Sequence, residues 1–164
     1  MKGHEAADKP TTVPLIARQA GDFDLGLTEA ALGDLSWLGR SLDDRLPQDL
    51  RRAVVTDLEL PIRDGSAIGP VRKAAIIEIG PAQKAGDGIV VAIAWRSATA
   101  APLFPVFAGR LSVTSSEVLL DGRYAPPFGA LGMLIDQTLL HFVARRTASA
   151  LVARLARRFE SSVQ

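Results

Sequence analysis

Of the side chains best suited to acid–base or nucleophilic work near neutral pH, this chain has two histidines and no cysteine, and it has one tyrosine. The lack of cysteine removes disulfides, thiolate catalysis and Cys-based zinc or iron–sulfur sites. His4 lies in the polar N-terminal stretch, which leaves His141 alone in the body, so a multi-histidine metal site or relay cannot be assembled. Asp136 precedes His141 by five positions, a spacing that does not put two side chains on one helical face. Asp22 with Asp24, and Asp43 with Asp44, are near-neighbour acids whose side chains diverge, and no third ligand follows at the spacing of a metal loop. The glycines of "GDGIVV" precede a strand pattern instead of opening a phosphate-binding helix, and "GALGMLID" lacks the strand-and-Lys context of a nucleotide loop. No Gly-x-Ser-x-Gly elbow occurs. Read this way, the chain nominates no catalytic residue, no metal site and no cofactor, and His141 reads as a surface or partly packed helix residue.

The aromatic side chains are more informative. They make up 5% of the sequence, yet Phe104, Phe107, Tyr124 and Phe128 all fall between Leu103 and Gly129. With Trp95 and Phe142 they form either a core or the wall of a ligand pocket, and Tyr124 adds a polar tip.

The elements that must position them follow from periodicity. Thr11 to Gln19 reads as a strand, and Pro14, which has no N–H to donate, favours a sheet edge or a strand start. A helix is predicted near 29–39, with Thr28 as N-cap and Ala31, Leu32, Leu35 and Leu38 at threes and fours; "LPQDLRRAVV" predicts a second short helix, with Pro47 in its first turn. From Thr56 onward, alternation broken by Gly and Pro predicts strands near 56–62, 71–79, 88–97, 104–114 and 117–124, the last two joined by a tight turn at Ser115 and Ser116. Val91, Ile93 and Trp95 share one strand face, with Ala92, Ala94 and Arg96 on the other; Val118, Leu120 and Tyr124 share a face of theirs. After "APPFG" the period becomes helical over about 130–159, with Leu140, Ala144, Thr147, Ala148, Leu151, Leu155 and Phe159 in one stripe. Ile135, Leu139, Phe142 and Val143 make the first half of that helix apolar on a second side.

Length predicts one domain over 11–160 behind a flexible tail at 1–10. With 19 Lys and Arg against 18 Asp and Glu, no global field recruits nucleic acid or an anionic membrane. Arg154, Arg157 and Arg158 are expected to be exposed, as cations suited to a helix C-terminus. No apolar segment has the length and continuity of a signal peptide or membrane span, so a soluble cytoplasmic protein is expected.

The order strand, two short helices, antiparallel meander and long C-terminal helix resembles the helix-grip fold of the SRPBCC superfamily, which includes START-like proteins. "WRS", "LFPVFAGRL" and "LDGRYAPPFGALG", followed by "IDQTLLHFVA", are similar to an uncharacterised bacterial subgroup of it; that likeness covers roughly Gly88 to Phe159. It implies an α+β fold in which a curved antiparallel sheet wraps a long C-terminal helix, enclosing a cavity for a lipid-like or polyketide-like molecule. Trp95, Arg96, Phe104, Phe107, Tyr124 and Phe142 are the expected ligand contacts. It also brings one alternative, a polyketide cyclase- or dehydratase-like enzyme in the same cavity; the doubly apolar start of the last helix suggests another, a non-catalytic homodimeric interaction module. The scarcity of His, and the absence of Cys, favours a binder over the enzyme.

Overall fold

A computed structural model of the chain describes residues 12–42, 52–60, 71–99, 105–125 and 137–161. In chain order the elements are β1 (Val13–Ala20), α1 (Leu25–Gly33), β2 (Arg40–Ser41), β3 (Arg52–Leu60), β4 (Val71–Ile79), β5 (Gln83–Ala85), β6 (Gly88–Ser97), β7 (Val106–Val113), β8 (Glu117–Ala125) and α2 (Gln137–Phe159). The strands join in the order β1-β8-β7-β6-β4-β3-β2, with β5 paired to β6, and every pairing is antiparallel. The fold is α+β, one sheet packed on one long helix. Pro14 lies on the edge strand β1, as its missing donor requires.

Two helical expectations need correction. The first helix starts and ends earlier than 29–39, because Asp24 caps it: its carboxylate accepts from the Leu27 N–H at 2.9 Å. Thr28 is inside the helix, buried, and donates to the Asp24 carbonyl at 2.8 Å. Leu35 and Leu38 are buried from the turn that follows, so they continue the apolar spacing without continuing the helix. The second short helix does not form at Arg52–Val55, which opens β3; residues 43–51 lie outside the described residues. Val54, Val55 and Thr56 are stiff at χ1 and pack well on a pleated surface, and nine consecutive pairs with β4 override the helical cue of Pro47. The Arg52 guanidinium instead donates to the carbonyls of Leu32 and Gly33, which terminate α1.

The sheet is curled around α2. In a flat sheet, the five strand-to-strand steps from β1 to β3 would separate them by about 24 Å. A helix is about 10–12 Å across. Yet α2 packs closely against β1, β8 and β3 while the intervening strands β7, β6 and β4 stand farther from it, so the sheet bows away from the helix between its flanks. A glycine pair permits one close approach on the inner face. Gly109 and Gly122 face each other across β7 and β8, and a Cβ on either would meet the neighbouring strand's backbone and the Phe107 ring. The ring lies over bare backbone there, an approach only glycine permits.

The buried stripe of α2 is Leu140, Ala144, Thr147, Ala148, Leu151, Leu155 and Phe159, as its spacing predicts. Its C-terminus is tied down by the Asp24 N–H to the Phe159 carbonyl at 3.0 Å and the Ser161 N–H to the Asp22 carbonyl at 3.1 Å. Trp37 stands edge-on to Phe159 and donates its indole N–H to the Ala31 carbonyl at 2.8 Å. Among the described residues, no helix is long and apolar enough to cross a membrane.

Candidate functional site

One row of directly paired residues crosses the inner face: Val54, Ile77, Trp95, Phe107, Tyr124 and Val13. Because side chains alternate along a strand, register alone decides that the aromatic members of β6, β7 and β8 are neighbours. Trp95 and Phe107 stack with centroids 4.1 Å apart and planes 15° from parallel. All three aromatics are buried. Three expected contacts, from three different strands, therefore come together.

The others do not join them. Arg96 is exposed on the outer face, since it alternates with Trp95, and cannot serve as a donor inside the curl. Phe142 is 46% exposed on the outward side of α2, with the Arg146 guanidinium 5.4 Å over its ring, a cation–π contact at the surface. Phe104 lies outside the described residues.

At the Tyr124 end of the row, the phenol oxygen sits 3.3 Å from His141 Nδ1. His141 is half-buried, one residue beyond Leu140 on α2, so the pair joins sheet to helix. Burial pushes the Tyr124 phenol above its ordinary value, since the charged phenolate would lose solvation. The phenol therefore stays neutral at physiological pH, able to donate or accept.

Among the described residues, two buried polar atoms have no hydrogen-bond partner: Trp95 Nε1 on the sheet and Thr147 Oγ1 on the buried stripe of α2. The indole N–H can only donate, whereas the hydroxyl can do either. Such orphans are few in folded proteins, and each costs about 1–3 kcal/mol when nothing satisfies it. Sequence reasoning included Thr147 in the apolar stripe but could not see that its hydroxyl would lack a partner. No group of acids and histidines suited to a metal ion occurs among the described residues.

No protein-family model and no curated protein matches this sequence. Among solved structures, the crystal structure of TTHA0849 from Thermus thermophilus superposes with a TM-score of 0.52, covering 90% of this chain and 97% of that one at 12% identity. The fold is shared. At that identity the likeness carries architecture alone, and the chemistry of the site rests on this chain's own residues.

Proposed function

We propose that this protein is a helix-grip binder of the SRPBCC kind, holding a small hydrophobic molecule with an oxygen acceptor between the curled sheet and α2. The observation that carries the reading is the unpartnered Trp95 N–H, buried in a wall of aromatic and aliphatic side chains. Burying a donor without an acceptor is unfavourable, so a lipid-like or polyketide-like ligand with a carbonyl or ether oxygen would gain both apolar burial and a hydrogen bond there. Thr147 supplies a second polar group from the helix. The Tyr124–His141 pair would orient a further oxygen.

The test uses a Trp37→Phe background, so that Trp95 is the sole emitter. Native mass spectrometry of freshly purified protein should show a bound small molecule. Fatty acids, sterols and aromatic polyketides should be screened for a shift in Trp95 emission and a rise in melting temperature that tracks occupancy. If the protein carries nothing and no compound moves either signal, the aromatic row is core and the reading fails.

The Tyr124–His141 contact favours a second reading, a polyketide cyclase- or dehydratase-like enzyme in the same interior, because the pair could pass a proton. Mass spectrometry of a poly-β-ketone incubated with the protein separates the two. Loss of water or ring closure abolished by His141→Gln supports the enzyme; unchanged recovery supports the binder.

A further inference from the structure

We infer a second ligand site, for a small organic oxyanion with an apolar body, in the cleft between α2 and the β3–β4 flank of the sheet. The cleft encloses about 400 Å³ between β3, β4 and α2. Leu58 and Leu151 line it, together with Arg72, Arg154 and Arg157 and one carboxylate, Asp57. Strand β2 pairs with β3 at Val54 and Val55, and beyond them β3 has no second strand partner among the described residues.

Arg154 is the central feature. Contrary to the expectation of an exposed trio, it is half-buried: Nη1 donates to Thr56 Oγ1 at 2.9 Å and Nη2 to the Leu38 carbonyl at 2.7 Å. Both acceptors are neutral, so they fix the guanidinium without neutralising it, and two of its five N–H donors are used. Its ordering is completed on folding, which leaves less to be lost on binding. Arg157 is exposed three residues further along the same helix. Arg72 adds a cation to the lining from β4. Guanidinium groups match carboxylate and phosphate oxygens in pairs, while Leu58 and Leu151 give an alkyl or aromatic body a surface to cover. This site is independent of the interior proposed above.

Calorimetric titration of the full chain with octanoate, octyl phosphate and octanol tests it. One or both anions should bind, the stronger identifying the preferred oxyanion, while octanol should not. Arg157→Gln, at an exposed position, should weaken binding about tenfold or more, Asp57→Asn should tighten it, and added salt should weaken it. Trp95 emission in the Trp37→Phe background should stay unmoved by the anion. Equal binding of octanol, indifference to both substitutions, or a Trp95 shift that accompanies anion binding would overturn the inference. A silent interior would leave it standing.

Discussion

Thr147 has zero exposure and an unsatisfied hydroxyl, so its replacement separates structure from function. Thr147→Val keeps the shape and removes the orphan. The unliganded protein should gain stability, by about 1–3 kcal/mol if the whole penalty is relieved, while affinity for an oxygen-bearing ligand should fall. A denaturant midpoint and a binding isotherm on the same variant check both halves. Tyr124 allows a cleaner titration than most phenols because it is the sole tyrosine. Its folded value is raised above the ordinary 10.0 by burial. The neutral form is thus favoured in the folded state, and that contribution to stability is present below pH 10.0 and lost as pH rises from there through the folded value. Tyrosinate absorbance of the native protein should accordingly appear later in an alkaline titration than in denaturant, and Tyr124→Phe should flatten the alkaline fall in stability.

At the scale of the element, the close approach of the Phe107 ring to the β7–β8 backbone depends on Gly109 and Gly122. Gly109→Ala would drive a methyl into the Asp121 carbonyl oxygen and the Phe107 ring, and should cost about 1–3 kcal/mol or more by overpacking. Gly33→Ala is the internal control. Nothing lies within 4 Å of a Cβ there, so that variant should be neutral or gain up to about 0.5–1 kcal/mol, read from denaturant midpoints with unchanged slope. The elements differed in how legible they were. β4 and β6 lie where alternation puts them, and the Ser115–Ser116 turn closes with a 2.9 Å bond from the Thr114 N–H to the Glu117 carbonyl. The start of β3 was read as helix because Pro47 is a local signal, whereas the competing pairing with β4 comes from residues about twenty positions away.

Across the whole molecule, α2 is held by groups distant in sequence. Arg154 ties it to Thr56 on β3 and to the turn at Leu38, and an isolated bridge joins Phe23 to Glu160. Arg154→Ala should cost about 1–3 kcal/mol, since it leaves the Thr56 hydroxyl and the Leu38 carbonyl short of a donor. Buried residues from β1, α1, the meander and α2 form one contiguous core cluster. Unfolding followed by far-ultraviolet circular dichroism and by tryptophan emission should therefore give coincident transitions. Separate transitions would mean that the core does not unfold as one cooperative unit.

What the sequence determined by itself was whatever depends on a few neighbouring residues. The switch from period two to helical spacing after Tyr124, the buried stripe of α2 and the shared face of Val118, Leu120 and Tyr124 all follow from how side chains repeat along one element. The tertiary structure decided which of those faces meet. Trp95, Phe107 and Tyr124 become one row through strand register, Arg96 turns away by the same alternation, and Phe142 points out because the sheet closes on the other side of its helix. Nor could spacing reveal that Arg154 would reach Thr56 and Leu38, or that Trp95 Nε1 and Thr147 Oγ1 would be buried without partners. Hydrogen-bond satisfaction depends on every group within reach in three dimensions, and those groups are brought together only when the sheet curls around its helix.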